Sequence, residues 1–430
     1  MRLGILVGLA LLLAVPNAVA AESPETDPFY VAPADLAQHP PGDILRSREV
    51  QVVLGAVPQP AYQLLYRTGD AHGRAVATAT TVIVPSGAPP AGGRNVLSLQ
   101  DAEDATDPIC APSYQLQIGS PDNSNLKLES TIALGGLGMG ATVLIPDHEG
   151  PLSEYIVKRM EGQATLDGVR AAESFDKAQL NGVKTQVAMA GYSGGAHATA
   201  SANELQPQYA PELNLVAVAA GGVPPANEAT FTTIDGGLGT GVLLGVSIAL
   251  DRAFPSFMLD SLLNDKGKAF VKANSKGCAS SVFAAPFAHA DDYTIQPDIV
   301  HLPQVAKIIA RNALGHATPT APTFYYNGIG DELINIAPLD ALVAKYCSEG
   351  ARIHYVRDPA GLEHIQGAVN FIPLALSYIA DRYAGNAIPN DCPPATSQPA
   401  AVAPDHARRA QARAARNVGR RVGRRFARHH

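Results

Sequence analysis

Val187-Ala188-Met189-Ala190-Gly191-Tyr192-Ser193-Gly194-Gly195 is an apolar run closing on a serine between glycines. It reads as a buried strand, a sharp bend at Ser193, and a small-residue helix from Gly194 towards Leu205. Gly-x-Ser-x-Gly in a strand–turn–helix context is the nucleophile-elbow pattern. Gly191 and Gly195 stand two positions either side of Ser193, where a side chain would crowd the bend. The serine must tolerate strained backbone angles, which cost about 1–3 kcal/mol and mark functional positions.

Around this turn the chain alternates strands and helices. Val50–Leu54, Ala61–Thr68 and Arg74–Val84 are β-branched or alternating and predict a leading antiparallel section. Val96–Leu99, Ala141–Ile145, Leu213–Ala219, Thr323–Tyr326 and Ile353–Val356 predict further strands. Glu154–Leu180 and Phe371–Tyr383 predict helices. Strands separated by helical stretches imply βα units and a mostly parallel sheet, an α/β fold with its site at the carboxyl ends of the strands. Ser193, Asp104 and Asp147 all fall just past such ends. The alternation breaks over residues 227–315, an insertion of helical character. Leu238–Leu250 is apolar on nearly every face, and Val305, Ile308, Ile309 and Asn312 have helical spacing. This insertion reads as a helical cap over the site, or as an extra buried layer. The core is then 21–226 with 316–395.

A serine hydroxyl needs an adjacent base, and after an elbow the partners follow in the order acid, then histidine. Asp331 ends the strand-plus-loop Phe324-Tyr325-Tyr326-Asn327-Gly328-Ile329-Gly330-Asp331, with Glu332 as its neighbour. His364 lies in the Gly-bearing loop after Ile353–Val356. His354 is inside that strand, and His197 is on the elbow helix, where it reads as a packing residue. His289, His301 and His316 precede Asp331, against the required order. One oxyanion-hole donor is the N–H of Gly194, and the other comes from the loop Gln100–Cys110.

The 430 residues are 46% hydrophobic and 17% charged, enough for a large core. Residues 1–20 read as a secretory signal peptide: Arg2, the apolar Leu3–Val15, then Ala18-Val19-Ala20 with cleavage near Ala20. The protein is therefore expected outside the cell, where Cys110, Cys278, Cys347 and Cys392 would form disulfides. Four cysteines allow three pairings. No Cys-x-x-Cys or His-x-x-x-His pair supports a zinc site, and neither metal nor organic cofactor is expected. The net charge of −7 hides nine arginines and no acid in residues 406–430, leaving about −16 elsewhere. Residues 396–430 form a Pro/Ala linker and this Arg-rich tail. Val418, Val422 and Phe426 fall four apart, as in a basic helix lying on an anionic cell surface. Gly419 and Gly423 weaken such a helix, and a solvated tail is the other reading. No nucleic-acid partner is expected.

Three stretches together carry a resemblance. Glu103-Asp104-Ala105-Thr106 with Cys110-Ala111-Pro112-Ser113-Tyr114, then Asp147-His148-Glu149-Gly150-Pro151, then Gly191–Gly195, resemble the secretory lipase family over roughly residues 30–395. The resemblance implies an α/β-hydrolase fold with a helical cap that meets the lipid interface. It implies a triad of Ser193, Asp331 and His364, and oxyanion donors at Asp104 and Gly194. It pairs Cys110 with Cys278 and Cys347 with Cys392. The implied activity is hydrolysis of acyl esters, as a triacylglycerol lipase working through an acyl-enzyme. A short-chain carboxylesterase or an acyltransferase using the same triad is the alternative.

Overall fold

The computed structural model describes residues 21–120, 124–279 and 284–393. The signal-peptide and Arg-tail readings, residues 1–20 and 396–430, lie outside them.

Nine strands form one sheet: β1 (Ile44–Leu54), β2 (Val57–Gly69), β3 (Ala75–Ile83), β4 (Val96–Gln100), β5 (Thr142–Pro146), β6 (Val187–Tyr192), β7 (Leu215–Gly221), β8 (Thr323–Gly328) and β9 (Ile353–Asp358). Their order is β1-β2-β3-β5-β4-β6-β7-β8-β9. The first three strands pair antiparallel, and β3 also meets β5 antiparallel. From β5 to β9 every pairing is parallel. This is the α/β-hydrolase architecture.

Alternation along β6 sends its side chains to two different helical layers, as strand geometry requires. Ala188, Ala190 and Tyr192 join a core with α2 (Ser124–Gly138) and α11 (His364–Tyr383). Val187 and Met189 join another with α3 (Lys158–Glu173) and α4 (Gly194–Tyr209). Helices therefore cover both faces, and β4, β5 and β6 are buried along their whole length. In register, Gln100 opposes Gly191 and Tyr192 opposes Gly221, so the turns after β4, β6 and β7 leave the sheet side by side.

Three element readings need correction. Helix α2 has no counterpart among the elements the sequence predicts, and it carries Gly135, Gly136 and Gly138. Two of its glycines serve close packing: a Cβ on Gly136 would meet Leu97 Cδ2 at 2.6 Å and Val143 Cγ2 at 2.9 Å, and one on Gly135 would meet Leu376 Cδ1 at 2.5 Å. The helix predicted over Glu154–Leu180 is shorter, because non-helical turns precede Lys158 and follow Glu173. The last helix starts at His364 rather than Phe371, so the histidine is its first residue.

Between β7 and β8 the chain is helical, with α5 (Glu228–Ile234), α6 (Thr240–Ala253), α7 (Leu259–Leu262), α8 (Asp265–Asn274) and α9 (Pro303–Asn312), and a short α1 (Pro112–Gln115) follows β4. Phe231, Leu243, Val246, Ile248, Phe254, Val305 and Ile309 pack with Tyr155, Ile156 and Met160 in one apolar cluster. Among the described residues no single helix is long and apolar enough to cross a membrane. Disulfides join Cys110 to Cys278 and Cys347 to Cys392.

Candidate active site

Ser193 sits between β6 and α4 at φ +54° and ψ −123°. Its N–H donates to Gly221 O at 2.9 Å, and its own carbonyl accepts from His197 N at 3.1 Å. The positions on either side are closed to side chains. A Cβ on Gly195 would run into the Gln100 carbonyl, and one on Gly194 into the Asp104 carboxyl. Backbone strain at Ser193 is thus imposed by packing that admits only glycine around it.

His364 Nε2 lies 2.8 Å from Ser193 Oγ. Its Nδ1 lies 2.8 Å from Asp331 Oδ2. The other carboxylate oxygen, Asp331 Oδ1, accepts the N–H groups of Leu333 and Ile334 at 3.0 and 2.7 Å. Glu332, the neighbouring acid, takes the His364 backbone N–H at 2.9 Å instead of the ring. Tyr192 donates its hydroxyl to His364 O at 2.8 Å, and the two rings lie 5.1 Å apart. The His364 ring is held by an acid at one nitrogen, and its backbone is held at both N–H and C=O.

Asp104 has φ +41° and faces the first turn of α4. Neither its N–H nor that of Gly194 has a hydrogen-bond acceptor among the described residues. Both residues line, with Ser193 and His364, a cavity of about 350 Å³. Its remaining walls are mostly apolar, including Leu128, Ile156, Phe231, Leu243, Val246 and Ile365. Two free N–H groups beside a serine–histidine pair are the geometry that receives an oxyanion. Burial pushes the Asp104 carboxyl up to about 6, with His364 drawing it down.

The sequence reading overlooked Glu129. It lies on α2, lines the same cavity, and accepts Ala102 N–H at 2.7 Å. Burial, with Asp101 nearby, holds its carboxyl well above the usual range. An acid in a helix that was itself unrecognised carries no sequence signal. Asp147, expected near the site by its place past β5, is not in the cavity wall. It binds Ser113 through N–H and hydroxyl at 2.8 and 2.5 Å. The other histidines are engaged elsewhere. His354 pairs with Asp391 at 2.8 Å, and His289 and His301 are exposed and paired with acids of the inserted segment. His197 is buried and bound to Glu161.

Residues 116–390 match the family described as Secretory lipase. A probable inactive lipase of Mycobacterium tuberculosis is 34% identical over 84% of this chain and 83% of its own length. The trichothecene C-3 esterase of Fusarium sporotrichioides is 33% identical over 83% of each protein. Among solved structures, Candida antarctica lipase A in its closed state has a TM-score of 0.80. It is 31% identical, with 89% of this chain and 91% of that one covered.

Proposed function

Because this chain belongs to the secretory lipase family, and proteins similar to it are named as lipases and an esterase, we propose that it is a secreted serine hydrolase acting on acyl esters of lipids. The observation that carries this reading is Ser193 Oγ at 2.8 Å from His364 Nε2 on the floor of an apolar cavity. In this mechanism His364 takes the Ser193 proton as the oxygen attacks the ester carbonyl. Asp331 orients the ring and stabilises its charged form. The N–H groups of Gly194 and Asp104 bind the oxyanion of the tetrahedral intermediate. His364 then protonates the departing alcohol, and water activated by the same ring releases the acid from the acyl-enzyme. The Mycobacterium tuberculosis relative is named inactive, but in this chain serine, histidine and aspartate form a continuous hydrogen-bonded series, which supports activity.

Residues 227–315 act as the cap over this cavity and contribute Thr230, Phe231, Ile234, Val242, Leu243 and Val246 to its wall. Triacylglycerol is the substrate class that an apolar wall of this extent favours. A second reading, an esterase of compact esters, is favoured by the likeness to the Fusarium esterase. Rates on esters of graded acyl length, with Ser193→Ala as control, test both. A rise towards long chains supports the lipase, and a maximum at acetate supports the esterase. A folded Ser193→Ala protein that keeps more than a residual rate overturns the mechanism.

Residues 1–20 are removed on export, and residues 396–430 contact an anionic cell surface. Amino-terminal sequencing of the exported protein checks the first, with a start near Ala21 expected. Loss of surface retention on deleting 396–430, with ester hydrolysis intact, checks the second.

A further inference from the structure

Glu161 is a buried acid that the mechanism above does not use. It lies in the first turn of α3 and is 1% exposed. Each of its carboxylate oxygens makes a short hydrogen bond. Oε2 accepts from His197 Nδ1 at 2.5 Å, and Oε1 accepts the N–H of Ile156 at 2.5 Å. His197 stands one helical turn after Ser193, and its own N–H donates to the Ser193 carbonyl. Ile156 lines the cavity that holds Ser193.

Ile156 has φ +59°, and Ser153 just before it has φ +48°. A β-branched residue in that region is a genuine outlier. Such strain persists only where the surroundings over-determine it, and it clusters at functional sites. Two restraints hold Ile156 here: its N–H in Glu161, and its side chain in the apolar cluster with Phe231 and Val246. Without the acceptor, a buried N–H would be left unpaired, and the backbone would gain by relaxing. Relaxation turns the Ile156 side chain out of its place in the wall.

We infer that Glu161 is a positioning residue for acyl selectivity: through His197 and Ile156 it ties the nucleophile helix to the facing wall of the acyl cavity. The inference rests on the ester-hydrolase reading and adds to it a determinant that touches no substrate. Its rival is a pair that merely stitches α3 to α4.

The test is the ratio of kcat/KM for a straight hexanoyl ester to that for a bulky 2-ethylhexanoyl ester of the same alcohol. Glu161→Ala and Ile156→Gly are each expected to shift it about tenfold towards the bulky ester, as loss of a defined pocket wall does. Glycine accepts the φ of position 156 without strain, so that variant tests the wall with the backbone relieved. The double variant should shift no further than Ile156→Gly alone, because both changes act through one wall. Glu161→Gln should stay within about threefold of the parent, since its amide oxygen can accept from Ile156 and its NH₂ can donate to Nδ1 once the His197 ring carries its proton on Nε2. Should Glu161→Ala not fold, Glu161→Asp, one methylene too short for both partners, takes its place with the same shift expected. An unmoved ratio in Ile156→Gly, or in a folded Glu161→Ala, overturns the proposal, as do fully additive shifts. A folded parent protein inert on both esters would instead fail the hydrolase reading.

Discussion

Asp331 meets the His364 ring with one carboxylate oxygen, at 2.8 Å, while two backbone N–H groups occupy the other. That division decides how an amide would sit there. In Asp331→Asn the carbonyl oxygen must take the Leu333 and Ile334 N–H groups, which turns the NH₂ towards His364 Nδ1. The ring is then forced into the tautomer that carries its proton towards Ser193. We expect kcat to fall by about 10³–10⁴-fold with little change in KM. Steady-state kinetics on a soluble ester checks this, and a loss below tenfold would remove Asp331 from the mechanism.

Gly194 admits no side chain because the Asp104 carboxyl lies where its Cβ would be. Gly194→Ala should therefore displace the Asp104 loop and separate the two N–H groups proposed to bind the oxyanion. The expected loss in kcat is about 10²–10³-fold, the usual worth of one donor. The melting temperature should change little, and circular dichroism alongside the kinetics separates the two effects.

The two disulfides should behave differently. Cys110–Cys278 ties the loop that carries Asp104 to the segment after α8, where Thr106 also bonds Asn274 O and Gly277 O. Cys347–Cys392 joins α10 (Ile336–Ser348) to the chain beyond α11, and neither cysteine lines the Ser193 cavity. Replacing Cys110 and Cys278 by Ser should lower both Tm and kcat. Replacing Cys347 and Cys392 should lower Tm alone. On the chain-entropy account each costs on the order of 4–5 kcal/mol of stability. Calorimetry and initial rates on the two double variants decide the matter.

Buried carboxyls give the fold a pH dependence of definite sign. Burial pushes Asp101 up to about 6, and Asp147 and Glu154 up to about 7. In the unfolded chain such groups ionise near about 4. The folded protein therefore holds more protons over that interval. The stabilisation is complete below about pH 4 and is lost as pH rises through about 6–7. Tm should be higher at pH 5 than at pH 8, by about 5 °C or more. Scanning calorimetry across that range tests it, and a Tm that rises with pH would refute it.

Much of the architecture was readable along the chain, because strand period and turn grammar are local. β6 could be read residue for residue, the reading Val50–Leu54 covers only the second half of β1, and the other strands differ from their readings at their ends. Ser193, Asp331 and His364 were each singled out by a strand followed by a glycine-bearing turn. Helix α2 was not readable, since its glycines break helical grammar, and the closeness of Leu97 and Val143 to Gly136 and of Leu376 to Gly135 is a tertiary fact.

What sequence alone determined, then, is the succession of strands and the residues standing just past the strand ends. The tertiary structure alone decided which acids are buried and what they face. Glu161 looks like an ordinary polar position of a helix and Glu129 falls in no element the sequence predicts, yet Glu129 lines the cavity and Glu161 joins His197 to Ile156. The bare residues likewise left three cysteine pairings open, and the fold chose one. The physical reason is range. Backbone preferences act over a few residues, whereas the burial of a charge depends on packing between segments far apart in the chain.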